Sequence, residues 1–385
     1  MPDIVVIGGG ITGTAAALSL AEEGLTVTLI EKRGIAAMAS GWTLGGVRQS
    51  GRDLAELPLA RAAVAIWPGL GERLGSDVRY RRGGNLRLAR DESEVALIRA
   101  LVERQRAEGL DLEFLADNAA VRAIAPAISE HVLAASFCPS DGHADPIATT
   151  FGFAQAAKRK GCTLREGLAV NSIRVEKGRV TGLATSEGFV PAGAVIVAAG
   201  VNTPALLAPL GFDLPLRVTL VHVLQTEAMP PLLDQVFGVA NADCAGRQEA
   251  DGRLRVTSGS LPFDGDADRW RDDALAPGQT EIQRLREVVG KVLPVVKDAP
   301  FHRAWGGLID LTPDALPVLD APDEISGLVI GAGFSGHGFC LGPVSGEVLA
   351  DLALGRKPRH DLSAFRLARF AVTDRRAPAA LSLHG

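Results

Sequence analysis

Cysteine is scarce: four residues in 385 (Cys138, Cys162, Cys244, Cys340), far apart and forming no C-x-x-C pair. That spacing excludes a sequence-local zinc or iron–sulfur site and offers no disulfide framework. The seven histidines show neither H-E-x-x-H nor another ligand spacing, so no metal is expected. No apolar run approaches the ~18 residues of a membrane span, and no basic segment followed by an apolar stretch opens the chain. A cytoplasmic, not membrane-spanning, protein is the expectation. Nor is positive charge in excess: a net charge of −5 argues against nucleic acid or anionic membrane as the main partner. Internal repeats are absent as well. What is left is an ordinary globular composition, 47% hydrophobic and 22% charged, on a chain long enough for two domains.

The opening stretch carries the strongest signal. Ile4 to Ile7 is a β-branched run that reads as a buried parallel strand, and Gly8, Gly10 and Gly13 follow at G-x-G-x-x-G spacing before an Ala/Leu-rich helix. The first glycine allows the tight turn, the second lets backbone approach a pyrophosphate, and the third lets helix and strand pack closely. The helix start directs free N–H groups and partial positive charge at phosphates. A second strand, Leu25 to Ile30, ends on Glu31, about 20 residues on, where a carboxylate can accept from ribose hydroxyls. The order strand, helix, strand, acid makes this a dinucleotide site.

Downstream, the small-residue segment 39–49 has glycines at 41, 45 and 46 that let backbone pass close to an extended ligand. Leu54 to Leu74 reads as helix interrupted by Pro58 and Pro68, Asn85 to Leu88 as strand, and Glu92 to Glu108 as a charged helix with an apolar stripe. Asp141-Gly142-His143-Ala144-Asp145-Pro146 is a turn that starts a helix to Lys160; His143 and Asp145 are read as fixing that turn and capping the helix. Cys162 to Ser186 forms a short strand and a meander. Ala194 to Gly200 is apolar enough to be covered on both faces. Leu216 to Thr226 and Arg253 to Ser260 look like strands of a separate sheet, and Gln279 to Leu293 like a helix stopped by Pro294.

A second glycine fingerprint, Gly331-Ala332-Gly333-Phe334-Ser335-Gly336, follows the strand Leu328 to Ile330. It invites a second, nicotinamide-type site. Its helix, however, is expected only from about Pro343 to Leu354, and no acid-ended strand follows. Both glycine-broken strands are better read as parts of one sheet gripping one long cofactor. The tail at 372–385 is read as disordered.

Taken together, the N-terminal fingerprint, the 141–146 turn, Ala198-Ala199-Gly200, Trp305-Gly306-Gly307 with Thr312-Pro313-Asp314, and Gly333 to Phe339 resemble the FAD-dependent D-amino-acid oxidase superfamily. The chain is most similar to its sarcosine oxidase, D-hydroxyproline dehydrogenase and opine oxidase branch, over about Asp3 to Phe370. The resemblance implies an α/β fold: a Rossmann-like FAD-binding domain with a parallel sheet (1–80, 141–213 and 303–371), and an α+β substrate domain with a mainly antiparallel sheet (81–140 and 214–302). It implies FAD contacts from Gly8, Gly10, Ile11, Thr12, Gly13, Glu31 and Lys32, and from Ser40, Gly41, Gly45, Gly46 and Val47. Further contacts come from Val170, Ala199, Gly200 and Gly307, then Gly333, Ser335, Gly336, His337, Gly338 and Phe339. The activity implied is hydride transfer from the carbon beside nitrogen in a secondary amine, imino acid or amino acid to flavin N5, the imine then hydrolysing.

Flavin reduction places negative charge on the N1/C2=O edge, and the loop from Ser335 into the following helix can offer N–H donors there. A substrate carboxylate suits arginine's planar fork. Arg48, in the flavin-side loop, and Arg303, before Trp305, are the two candidates; a phosphate or backbone contact and a surface ion pair are their respective alternatives. His337 either lines the pocket or shapes its loop, and Trp305 packs near the ring or in plain core.

Three departures from the monomeric sarcosine oxidases bear on chemistry. Gly306 and Gly307 stand near where those enzymes carry a flavin-linking cysteine, which implies non-covalent FAD. Cys340 stands where they hold the substrate carboxylate with lysine. No lysine occurs between Lys177 and Lys291, where they use one to activate oxygen. A dehydrogenase passing electrons to a partner subunit or a quinone is therefore expected. A stand-alone D-amino-acid or glycine oxidase and a non-catalytic flavin electron-transfer subunit are the alternatives, with a nicotinamide-dependent dehydrogenase behind them.

Overall fold

The computed structural model describes residues 3–267 and 275–371; the tail expected to be disordered lies outside them. The chain opens with β1 (Ile4–Ile7), α1 (Ile11–Glu22) and β2 (Val27–Glu31). A long helix, α2 (Leu57–Leu74), leads to β3 (Asn85–Ala89). Then α3 (Pro146–Arg159), β4 (Thr163–Glu166) and β5 (Ala194–Val197) return to the first sheet. β6 (Arg217–Ala228), β7 (Val236–Val239), β8 (Cys244–Gln248), β9 (Arg253–Ser258) and β10 (Phe301–Leu311) build the second, and β11 (Leu328–Ala332) and α4 (Gly338–Ala353) close the first.

The first sheet has the order Val318–Asp320, β11, β5, β1, β2, β4, parallel except for the Val318–Asp320 edge. Its strands are apolar throughout because both faces are covered. Ile4, Val6, Leu29 and Ile196 pack against α1, α2, α3 and α4, while Val5, Ile7, Ile30 and Val195 pack against the meander and the segment around Leu206. Each such side chain contributes about 1.5–3 kcal/mol, and a parallel sheet requires that double cover. β11 lies beside β5, which lies beside β1, so the two glycine-broken strands belong to one sheet.

The second sheet runs Leu261–Pro262, β6, β9, β8, β7, β3, Ala134–Cys138, Glu113–Leu115, with β10 paired along β6. Only the β7–β3 contact is parallel. Helices Asn118–Ile124 and Gln279–Val289 cover one face, leaving the other turned toward the dinucleotide sheet. The boundary expected at 303 falls inside β10, which continues in this second sheet to Leu311.

Two helices differ from expectation, both for reasons of proline tolerance. In α2, Pro58 occupies the first turn, where no N–H partner is needed, and Pro68 is carried inside an otherwise continuous helix. α4 begins at Gly338 rather than at Pro343: the carbonyl of His337 already accepts from Leu341 N–H at 3.3 Å, and Pro343 sits in the second turn. No helix among the described residues is long and apolar enough to cross a membrane.

Candidate active site

A single cavity of about 1370 Å³ runs from the β1–α1 turn to the inner face of the second sheet. It exceeds the ~300–1,000 Å³ of ordinary small-molecule pockets and suits a long dinucleotide with a substrate beyond it. At one end Gly8 is at φ 113°, and a Cβ there would meet Ala198 O at 2.2 Å; one on Gly13 would meet Gly8 O at 2.1 Å. These two glycines pack strand and helix, whereas a Cβ on Gly10 would meet only the Ser40 side chain on the cavity wall. Gly10 has no side chain to cap α1, and Ser40 supplies the cap, its Oγ accepting from Ile11 N–H at 2.9 Å. The Glu31 carboxylate accepts from the N–H groups of Gly9 (2.7 Å) and Arg33 (2.8 Å) while still facing the cavity beside Lys32. The cradle therefore fits an adenine dinucleotide: open glycine backbone, a helix start, and an acid at the ribose position.

Ile11 and Thr12 line the cavity at the start of α1, Val170, Ala199 and Gly200 line the middle, and Gly46, Gly307, Ser335, Gly336, Gly338 and Phe339 line the far end. The glycine loop there is held from β10. Asp310 accepts from Gly333 N–H through its carboxylate (3.0 Å) and from Ser335 N–H through its carbonyl (3.0 Å), and Ser335 sits at φ 51°. Burial pushes the Asp310 carboxyl up to about 6, against the pull of the backbone N–H groups of Asp310 itself, Gly333 and Phe334. The first-turn N–H groups of α4 thus open onto the cavity with the positive end of the helix dipole.

Beyond lies a chamber rich in arginine. Arg48, Arg52 and Arg87 line it with Asn85, all at most 6% exposed. Arg48 donates to Ser50 O at 2.8 Å. Arg52 lies 3.6 Å from the Glu56 carboxylate, and its Nη1 is buried with no hydrogen-bond partner. Asp141, pushed up by burial, accepts from Gln49 N–H (2.9 Å) and Ser50 Oγ (2.5 Å) and so braces the loop that carries the arginines. His337 lies behind the wall with Nδ1 3.1 Å from Glu56. Burial, then the Arg52 charge, pushes it down to about 3, so it is neutral.

Several expected residues stand elsewhere. Gly13, Gly41, Gly45, Val47, Gly333 and His337 flank the cavity without lining it. A Cβ on Gly41 or Gly45 would strike a backbone carbonyl, of Ala36 or Ala144, which makes them packing glycines. Arg303 is not in the chamber. It donates to Gln225 Oε1 at 2.8 Å, stacks 4.8 Å from the Trp305 ring, and lines a separate cavity of about 480 Å³. Between the two spaces stands a partition: Trp305 Nε1 donates to Trp42 O (3.1 Å), Arg255 to Thr43 O (2.8 Å) and Arg247 to Leu44 O. Trp305 is thus a wall residue, and Trp42, packed over Gly307, faces the cavity in its place. His143 Nδ1 accepts from Arg247 at 2.9 Å, with burial holding the ring neutral at about 2, and Asp145 caps α3 through Ala148 N–H.

Arg52, Asn85 and Arg87 were not singled out by the sequence. Arg52 was within reach, four residues after Arg48; Arg87 sits in a strand whose pairing alone turns it inward.

Known proteins share this architecture. Residues 3–352 match the DAO family model, described as FAD dependent oxidoreductase. The chain is 27% identical over 387 residues to sarcosine oxidase subunit beta of Rhizobium meliloti (strain 1021), covering 96% of this chain and 88% of the relative. Glycine oxidase from Geobacillus kaustophilus superposes with a TM-score of 0.88 at 26% identity, over 96% of this chain and 98% of that one. L-Proline dehydrogenase from P. horikoshii superposes at 0.87 with 27% identity, over 96% and 98%. The pyrophosphate cradle, the acid at the ribose end and the helix start facing the chamber are what such a cofactor requires, and the chain belongs to the DAO family of FAD-dependent oxidoreductases.

Proposed function

We propose that this protein oxidises a secondary amine or imino acid bearing a carboxylate, of the opine, hydroxyproline or N-methyl amino acid kind, as the catalytic subunit of a larger assembly with non-covalent FAD. One observation carries the reading: the unpartnered, buried Nη1 of Arg52 in a chamber continuous with the dinucleotide cradle. When bound, FAD supplies the acceptor for the hydride leaving the carbon beside nitrogen. The chain's own residues do the rest. Arg52, with Arg48 beside it, holds the carboxylate and fixes which C–H bond points at the cradle. Three guanidiniums also disfavour an ammonium, so the amine binds neutral and no side-chain base is required. The α4 start and its glycine loop meet the negative charge that develops at the cradle's far end. The imine product then hydrolyses outside this step.

The activities of the relatives support amine or amino-acid oxidation, and the likeness to sarcosine oxidase subunit beta supports a multi-subunit setting. Anaerobic mixing of the FAD-loaded protein with a panel of N-alkyl amino acids, opines and D-amino acids is the test. Loss of the oxidised-flavin absorbance with a secondary amine is expected, and Arg52→Met should weaken that substrate about tenfold to a hundredfold, the worth of a charge-assisted hydrogen bond. Bleaching by no amine at all would leave an electron-transfer or scaffold role.

A further inference from the structure

Arg87 is 3% exposed and, among the described residues, reaches one acceptor, the Val239 carbonyl at 3.3 Å. No carboxylate among the described residues pairs with it, whereas Arg52 has Glu56 and the neighbouring strand-end arginine, Arg90, has Glu94 and Asp243. A buried cation without a counter-ion is costly unless a partner arrives. The site is also built for a guanidinium. Opposite Arg87 in the β3–β7 register stands Gly238, where a Cβ would meet Arg87 Nη1 at 2.6 Å. A side chain at position 238 would displace the guanidinium from the place it occupies.

Arg87 and Arg52 reach this chamber from different elements, a sheet strand and the loop before α2. Both guanidiniums border the same chamber, and the Arg52 charge, after burial, lowers the proton affinity of Arg87. On the β10 side the lining residues are Gly307, Leu308, Ile309, Asp310 and Leu311, none of which is a cation. Of the arginines that line the cavity, Arg48, Arg52 and Arg87 are buried and come from the β3 side and the flavin-side loop, while Arg217, at the start of β6, is exposed.

We infer that the chamber has two anion seats, Arg52 and Arg87, and that the substrate is a secondary amine carrying two carboxylates. This rests on the proposed amine oxidation and narrows its substrate class. The Arg52 seat takes the carboxylate next to the reacting carbon, and the Arg87 seat takes a second one on the other arm or farther along the chain. Asn85, whose Nδ2 donates to Ser50 Oγ at 3.1 Å, fixes the wall between them.

The test needs no turnover. Thiodiacetate and methylthioacetate are thioether counterparts of a dicarboxylate and a monocarboxylate secondary amine, and each can be titrated into the FAD-loaded protein by its effect on the flavin spectrum. The wild-type protein should bind thiodiacetate at least about tenfold more tightly than methylthioacetate. Arg87→Met should erase that preference with FAD content unchanged, and Arg87→Lys should restore part of it. Equal affinities in the wild type overturn the inference, as does a preference that survives Arg87→Met. Loss of FAD from Arg87→Met assigns the residue to the cofactor and also overturns it. Bleaching by monocarboxylate amines with equal wild-type affinities would sink the second seat while leaving amine oxidation standing.

Discussion

Asp310 lies beneath the glycine loop that follows β11, a buried carboxyl bordered by the cavity. Its native proton affinity, raised by burial to about 6 against an ordinary 3.8, means the folded protein holds this proton more firmly than the unfolded chain. Stability from this group is therefore fully present below pH 4 and lost as pH rises through about 6, a difference of about 3 kcal/mol. Asp310→Asn keeps an acceptor for Gly333 N–H without the charge. It should be as stable as wild type near pH 4 and more stable at pH 7.5, read as the difference in urea midpoints between the two proteins across pH. A difference that does not change with pH would show that Asp310 does not titrate in this range. Residues of this kind are where the sequence was least legible. Gly8, Gly10 and Glu31 declare themselves by spacing, and Asp145 by its place before a proline. Arg303 looked like an anchor only because Trp305 follows it; the strand turns it into the neighbouring cavity, and Arg87 takes a place in the chamber that no local pattern marks.

Between elements, α1 and α4, the two helices whose starts face the cavity, pack closely against each other. A Cβ on Gly342 would meet Ile11 Cγ2 at 2.6 Å, and one on Gly346 would meet Ala15 Cβ at 2.5 Å and Ala16 N at 2.6 Å. The alanine run of α1 and the glycines of α4 are thus one packing device, which aims both dipoles into one cavity. Gly346→Ala must push the α1 backbone away, at a cost of about 1–3 kcal/mol. A lowered Tm and weaker FAD retention are expected together. Gly69→Ala, in the exposed interior of α2 with nothing within 4 Å, should instead be neutral or stabilising by up to about 1 kcal/mol. Equal behaviour of the two variants would refute the packing argument. The elements themselves were readable because each carries a period or a cap. The start of α4 was not, since Pro343 mimics a first helical residue and the true start rests on a glycine loop pinned by Asp310.

At the scale of the whole molecule, a parallel sheet supplies the cradle and a mainly antiparallel sheet supplies the lid, and the chemistry of the lid decides where electrons go. β9 presents Thr257 and Ser258 to the cavity, and Arg255 is drawn away to Thr43 O in the partition. The one lysine lining the cavity is Lys32, at the ribose end. No ammonium thus stands on the β9 face. The cations of the chamber are the guanidiniums of Arg48, Arg52 and Arg87, which the proposed substrate carboxylate engages, so superoxide forming against β9 would lack a cation of its own. Sheet class and the single shared cavity followed from apolar strands and paired fingerprints, but which face of the lid each residue takes depends on long-range register that composition does not encode. With a substrate that bleaches the protein anaerobically, we therefore expect re-oxidation by a dye or quinone to outpace re-oxidation by air-saturated buffer by at least about tenfold. Peroxide released at the rate of anaerobic reduction would make the isolated chain an oxidase instead. Thr257→Lys, which places an ammonium on this face, should raise the rate of re-oxidation by oxygen without altering dye reduction to the same degree.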